Sequence, residues 1–343
     1  MVSQSLNSLH LQNPFQSVSK QDSVHSENSS DSDVVSNIDS GVKSNSSTVS
    51  DSSTKLSFST SITSLSTQST PRPFVKWVGG KTQLLPEIVK YVPKRFNTYF
   101  EPFLGGGAVL FQIHPKHAVV NDLNGELINA YKQVQTNPEQ LIHLLKQMFN
   151  KDTKEYYMSI RALDRSDKFE TLTDVQRAAR FIYLNKAGFN GLWRVNKKGQ
   201  NNVPYGQHTK LTVPEDAIRV DSEFFKDSDV TFLSGDYRTC VQSTKKGDFV
   251  YFDPPYIPVN PTSNFVNYTK AGFGLAQQKE LAQLAKELYN KGAYVMLSNS
   301  DTPLTRKLYK DFMFHVHHVE ARRSINRNGK KRGAVGEVLI TTY

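Results

Sequence analysis

The sharpest chemical signal in this 343-residue chain is the run Gly247-Asp248-Phe249-Val250-Tyr251-Phe252-Asp253-Pro254-Pro255-Tyr256. Its apolar middle predicts a buried strand that delivers Asp-Pro-Pro-Tyr at its carboxyl end. Two successive prolines fix the backbone and remove two amide donors, so the neighbouring carbonyl oxygens are left as rigid acceptors. An ionised aspartate also accepts, and a tyrosine ring offers a flat face to an aromatic partner. Asp253, Pro254, Pro255 and Tyr256 thus read as a pocket for a group with two N–H donors on a planar ring. The exocyclic NH2 of an extruded nucleobase answers that description. The bland alternative is a proline-rich turn that closes a strand.

A second cluster, Glu101-Pro102-Phe103-Leu104-Gly105-Gly106-Gly107, lets the chain turn tightly, so that a ligand can approach main-chain amides at a helix start. Alone it is as compatible with a structural turn as with a cofactor loop, and it departs from the dinucleotide fingerprint. Asp122 changes the balance. It stands at the end of the next β-prone run, where an acid can accept from both hydroxyls of an adenosine ribose.

The segments around these residues alternate between strand and helix patterns. Thr98 to Phe103 predicts a strand, and Ala108 to Ile113 predicts the start of a helix after the glycines. His117 to Val120 predicts a second strand, followed by a helix over Leu123 to Val134. Later strands are predicted at Val230 to Leu233, Phe249 to Phe252, Tyr294 to Leu297 and Val335 to Thr341. Between Phe252 and Tyr294, Leu281, Leu284, Ala285 and Leu288 follow the spacing of one buried helical face. The alternation predicts a mainly parallel α/β sheet covered on both sides, with ligands at the carboxyl ends of its strands.

Taken together, Phe74 to Lys81, Glu101 to Gly107, Asn121-Asp122, Gly235-Asp236-Tyr237, Asp253 to Tyr256 and Leu297-Ser298-Asn299 resemble the Dam-like family of DNA adenine N6-methyltransferases. The resemblance covers essentially all of residues 71–343, and Arg180 to Gly206 resembles the family's segment linking catalysis to DNA recognition. It implies a Rossmann-like methyltransferase sheet at 71–135 and 229–343, with helices on both faces, and a mainly helical target-recognition insertion at 136–228. It implies S-adenosylmethionine as methyl donor. Trp77 and Lys81 would lie beside the donor's methionine portion, and Glu101, Phe103 and Gly105 would line its site. Asp122 would hold the ribose, Asp236 would accept from the adenine amino group with Tyr237 nearby, and Asp253 would face both donor and target base. The implied reaction is direct methyl transfer to a flipped adenine in duplex DNA, within GATC by family likeness. A cognate restriction endonuclease acting separately is a further implied partner. Transfer to cytosine N4, to RNA adenine or to a protein amide, and a catalytically silent DNA-binding module, are the competing readings.

Charge agrees with a polyanionic partner. The chain carries a net +10, yet residues 1–70 hold three lysines against six acids, so the excess of positive charge lies in the remainder. One basic stretch, Lys186, Asn190, Arg194, Lys197 and Lys198, is interleaved with Tyr183, Phe189 and Trp193, a mixture suited to phosphates, base edges and stacking. A second, Arg322-Arg323, Arg327, Lys330, Lys331 and Arg332, is rich in Asn and Gly and predicts a hairpin loop.

Other classes recede. Serine fills 24 of the first 70 positions, a composition that predicts a disordered tail. The lone Cys240 cannot form an intrachain disulfide, and no histidine or cysteine cluster has metal-ligand spacing; His315, His317 and His318 sit in a β-like run. No apolar run reaches about 18 residues, and the first residues lack a signal-peptide pattern, so no membrane partner is expected and the cytoplasm is the expected compartment.

Overall fold

A computed structural model of the chain describes residues 69–208, 210–259, 273–311, 313–322 and 334–343. The serine-rich tail up to residue 68 and the basic residues Arg323, Arg327, Lys330, Lys331 and Arg332 lie outside the described residues. Seven strands form one mixed sheet: β1 (Tyr99–Glu101), β2 (His117–Asp122), β3 (Asp229–Ser234), β4 (Phe249–Phe252), β5 (Tyr294–Ser300), β6 (His315–Arg322) and β7 (Ala334–Thr341). Their spatial order is β3-β2-β1-β4-β5-β7-β6. The first five strands pair in parallel, and β7 enters antiparallel between β5 and β6. The parallel strands fall where the alternation predicts them. The inversion of β6 and β7 carries no periodicity signal, because a period of two is the same in either direction.

Both faces of the sheet are covered. On one, Phe100, Val250, Phe252, Val295, Leu297, Val338 and Ile340 pack with α8 (Tyr237–Cys240) and α9 (Leu275–Asn290). The buried face of α9 is Gln278, Leu281, Ala282, Ala285 and Leu288, while Leu284 lies at its rim. On the opposite face, Tyr131 of α3 (Gly125–Thr136) stacks on Phe232 at 5.5 Å, and Phe225 of α7 (Glu215–Asp227) meets the same ring edge-on at 5.1 Å. Helix α3 starts two residues later than predicted, because Asn124 caps it by accepting from the amides of Glu126 and Leu127 at 3.1 and 3.2 Å.

The chain runs from β1 outward to β2 and β3, then crosses back to place β4 on the other side of β1. That reversal parts the connections leaving the carboxyl ends of β1 and β4, which is where an open α/β sheet offers a crevice. Asn121 ties the neighbouring strand ends together. Its Nδ2 donates to the carbonyls of Pro102 (3.1 Å) and Gly235 (3.0 Å), and its own carbonyl accepts from Leu104 N at 2.8 Å.

Between α3 and β3 the chain inserts α4 (Pro138–Asn150), α5 (Lys154–Ala162), α6 (Asp174–Ala187) and α7. Arg180, 1% exposed, is their internal tie: Nε donates to Ile160 O (3.0 Å), and the guanidinium pairs with Asp164 at 2.9 Å. The segment 70–81 lies outside the sheet and is held by side chains of this insertion. Asp221 of α7 accepts from Arg72 N at 2.9 Å. Asn185 of α6 behaves like a strand neighbour of residue 76, accepting from Lys76 N (2.9 Å) and donating to Lys76 O (2.8 Å) and Gly191 O (2.9 Å). Asn185 is fully buried, so truncating it strands those groups away from water. Asn185→Ala is expected to lower the unfolding free energy by about 2–4 kcal/mol, each orphaned buried group costing roughly 1–3; urea titration measures it, and a loss below about 0.5 would mean the groups find other partners.

Candidate active site and nucleic-acid interface

Strand β4 is buried along its whole length, and burial on both sides is what an apolar central parallel strand requires. It ends at Asp253, whose Oδ2 lies 2.6 Å from the ammonium of Lys81. Lys81 arrives from the other direction, just after the Gly79-Gly80 turn, with Gly79 at φ +77. Its Nζ also donates to Gly79 O at 2.7 Å and stands 4.9 Å above the centre of the Tyr256 ring. One ammonium, only 7% exposed, thus touches an acid, a carbonyl and an aromatic face.

Burial pushes the Asp253 carboxyl above the ordinary aspartate range, and the Lys81 charge and hydrogen bond pull it back. Its other oxygen, Oδ1, is buried and has no hydrogen-bond partner among the described residues. Glu101, at the end of β1, is also buried and accepts from Tyr99 OH at 2.8 Å. Its carboxyl is raised chiefly by burial, opposed by that hydrogen bond and raised further by the negative charge of Asp253. Tyr256 directs its hydroxyl inward, donating to Glu337 Oε2 at 3.1 Å. Burial first, and the Asp253 charge second, hold its phenol well above the usual tyrosine value, so it stays protonated.

The glycine turn supplies a second lobe. Gly105 adopts φ +51, and a Cβ there would come within 2.7 Å of Trp77 Cδ1, so the turn admits the indole only because the residue is glycine. Gly105 N donates to Asp122 Oδ2 (2.9 Å) and Asn124 N donates to Asp122 Oδ1 (2.9 Å). Each carboxylate oxygen is therefore oriented from one side, with lone pairs left for a further donor. Burial raises the Asp122 carboxyl, and the two amide hydrogen bonds oppose the rise. Phe103 stacks on Tyr237 with centroids 5.1 Å apart, and Phe273 meets Phe103 edge-on at 5.7 Å. A glycine cradle closed by an indole, an oriented acid at the end of β2 and an aromatic wall together fit an adenosine-bearing cofactor.

The structure brings Lys81, Glu101, Asp253 and Tyr256 into one cluster, sets Trp77 over Gly105 and fixes Gly105 to Asp122. Asp236 behaves differently. It caps α8 by accepting from Arg238 N (2.8 Å), and its carboxylate is gripped by the Arg238 guanidinium at 2.9 and 2.6 Å. The central turn has three further partners, Glu337, Gln278 and Asn299, of which sequence reasoning missed the first two. Gln278 Nε2 donates to Pro255 O at 2.8 Å, and Asn299 Oδ1 accepts from Ile257 N at 2.9 Å. Only the Leu297-Ser298-Asn299 motif hinted at one of them; a glutamine on a helix and a glutamate on an antiparallel strand carry no local signal. Cys240 is buried, and burial pushes its thiol up to about 12, so it is inert.

The basic segment beyond α6 is a turn followed by a hairpin. Phe189 and Asn190 are exposed, and Asn190 takes a left-handed φ of +55 before Gly191 at +66. Asn196 N donates to Gln200 O (2.9 Å) and Gly199 N donates to Asn196 O (2.9 Å), which puts Lys197 and Lys198 at an exposed hairpin tip. Arg194 lies along the hairpin with its guanidinium on Asn202 at 2.6 and 3.2 Å. Lys186 is half-buried; burial, with Lys76 nearby, lowers its ammonium to about 8.

A family profile described as D12 class N6 adenine-specific DNA methyltransferase matches residues 77–325. The chain is 46% identical over 273 residues to the type II methyltransferase M1.LlaDCHI of Lactococcus lactis subsp. cremoris, covering 79% of this chain and 95% of that protein. It is 38% identical over 291 residues to the type II methyltransferase M.MjaIII of Methanocaldococcus jannaschii, covering 79% and 99%. A DNA adenine methylase of Vibrio cholerae is 38% identical over 274 residues, covering 78% and 95%.

The Lys81–Asp253 pair has a pH signature. With Lys81 gone, burial acts on Asp253 unopposed by its nearest positive charge, and the carboxyl rises further. A carboxyl raised in the folded state costs stability above its unfolded value, and the cost disappears at low pH where both states are protonated. Lys81→Met should therefore melt well below the parent at pH 7 to 8, with the gap narrowing toward pH 4; a gap independent of pH would show that Asp253 does not ionise against Lys81.

Proposed function

The chain belongs to the D12 class of N6 adenine-specific DNA methyltransferases, and from that premise we propose that it modifies a short duplex site, GATC by family likeness, through the Asp253–Tyr256 turn. It is an adenine-specific DNA methyltransferase, and its methyl donor is S-adenosylmethionine. Membership in the family sets aside cytosine, RNA, protein-amide and silent-module readings. The single observation that carries the site is Asp253 Oδ1, a buried acceptor with no hydrogen-bond partner among the described residues. A buried carboxylate oxygen without a partner is costly unless something else supplies the hydrogen bond.

In the proposed mechanism, Lys81 keeps Oδ2 engaged and Oδ1 accepts one hydrogen of the target amine, while the Pro254 carbonyl accepts the other. Drawing on both hydrogens localises a lone pair that is otherwise delocalised into the adenine ring. Tyr256 holds the extruded base by stacking, since the nitrogen is inaccessible inside paired DNA. Bound S-adenosylmethionine supplies a sulfonium-activated methyl group. Trp77, Gly105 and Asp122 hold that donor, with Glu101, Phe103, Asp236 and Tyr237 completing its site. Asp236 reaches a cofactor amine with lone pairs not used by Arg238, or after the guanidinium moves. Transfer would break the methyl–sulfur bond, leaving a neutral thioether, as the N–C bond forms, and the amine would lose one proton; Asp253, its carboxyl raised by burial, is suited to receive it. Alignment alone is worth on the order of 7–11 kcal/mol at most.

Recognition is assigned to the insertion 136–228 on the catalytic body formed by 71–135 and 229–343. Exposed Lys197 and Lys198 are suited to phosphates, and Asn190, Arg194 and Lys186 to the target site. Likeness to two type II methyltransferases supports a place as the modification member of a restriction–modification pair, with the nuclease acting separately.

Incubation with labelled donor and unmethylated genomic DNA should yield N6-methyladenine and protection of GATC from a nuclease that cuts only its unmethylated form. Label in adenine without that protection would discard the site. Asp253→Ala should lower the transfer rate by at least about 10²–10³-fold while duplex affinity persists; normal turnover would remove Asp253 from the mechanism. Lys197→Glu should weaken binding to all duplexes and reduce the log–log salt slope by about one, and an unchanged slope would discard that contact.

A further inference from the structure

The Asp-Pro-Pro-Tyr turn presents more than one carbonyl, and the proposed reaction needs one of them as an acceptor. Pro254 and Pro255 lack amide hydrogens, so the turn cannot brace itself through its own N–H groups at those positions. The brace comes from two side chains distant in sequence. Gln278 on α9 donates from Nε2 to Pro255 O at 2.8 Å. Its Oε1 accepts from Asn299 Nδ2 at 3.2 Å. Asn299, on β5, uses its single Oδ1 to accept from both Ile257 N (2.9 Å) and Ser300 N (2.9 Å). Both amides are 1% exposed, so this relay has no water to fall back on.

We propose that Gln278 and Asn299 are positioning residues for methyl transfer: they occupy the Pro255 carbonyl and clamp Ile257, so that only the Pro254 carbonyl and Asp253 face the target amine. Gln278 has no other evident reason to be there. It is a polar residue on the buried face of α9, among Leu281, Ala282 and Ala285, where an apolar side chain would pack without needing partners. The amide orientation is fixed by function of its neighbours, since Pro255 O can only accept and Ile257 N can only donate. A shift of the turn by a fraction of an ångström would misalign both acceptors with the amine, which is where alignment is most sensitive.

The inference rests on reading the Asp253–Tyr256 turn as the transfer site, and the parent enzyme's methylation of adenine tests that reading separately. The test compares single-turnover methyl transfer at saturating S-adenosylmethionine and site-containing duplex DNA in parent and variants. Gln278→Met keeps the side-chain length and removes both hydrogen bonds. It is expected to slow transfer by about tenfold to a hundredfold, with affinities for donor and duplex within about twofold of the parent. A rate within twofold of the parent overturns the proposal, as does a loss matched by equal losses of donor and duplex affinity, which marks general structural damage. Gln278→Glu decides the matter if the methionine variant does not fold. A carboxylate cannot donate to Pro255 O, whereas a protonated carboxyl can, and burial lifts a glutamate toward neutral pH and above. Its rate relative to the parent should therefore climb as pH falls from 9.5 to 6. A ratio constant across that range overturns the assignment.

Discussion

A carboxylate buried at the end of a central strand is expensive, and Asp253 is the point from which the rest of this molecule can be understood. Taking an acid out of water favours its neutral form. A neutral Asp253 would be a poorer acceptor for an amine. One ammonium, Lys81, opposes that drift by sitting 2.6 Å from Oδ2. A buried ion pair of this kind adds little net stability, because desolvation offsets most of the attraction. In the proposed reaction its value is chemical: it keeps a charge on the acid that would accept from the amine, and it engages only one of the two oxygens.

That requirement explains why so much structure outside the sheet is devoted to residues 70–81. Lys81 does not belong to the strand it serves, so its position depends on how firmly its segment is pinned. Asp221 holds Arg72, Asn185 holds residue 76 from both sides of its peptide, and Trp77 lies in the gap left by Gly105. Burial pushes Asp221 up to about 8, so it clasps Arg72 N largely as a neutral acid and introduces no uncompensated charge. Each anchor comes from a different element, and together they make the position of Lys81 a property of the whole body.

Much of this was legible in the sequence, for reasons that differ by residue. The apolar run before Asp253 announces a buried strand, the glycines before Ala108 announce a close approach, and Asp122 follows a β-prone run that ends in the second parallel strand. Such signals are local, and they mark the first five strands and the residues from which the site is proposed. Pairing across the fold leaves no local trace. That β7 runs antiparallel between β5 and β6, so that Glu337 reaches Tyr256, follows from a hairpin register that alternation does not specify. Asn185 and Gln278 are amides inside otherwise ordinary helices, and their roles depend on which backbone groups the fold leaves unpaired beside them. Leu284 fits the helical spacing and still lies at the rim, because the width of the buried face depends on how α9 sits on the sheet.

The same anchors link the two halves of the activity. Asn185 bonds residue 76 and Gly191 at once, and an aromatic series runs from Trp77 to Phe181 (6.3 Å) and on to Trp193 (4.4 Å). The segment that carries Lys81 is thus packed against the turn that presents Phe189 and Asn190. Lys81 is four residues beyond Trp77 and bears directly on Asp253. The turn proposed to meet DNA and the segment that carries Lys81 are therefore joined through Asn185 and a run of adjacent rings.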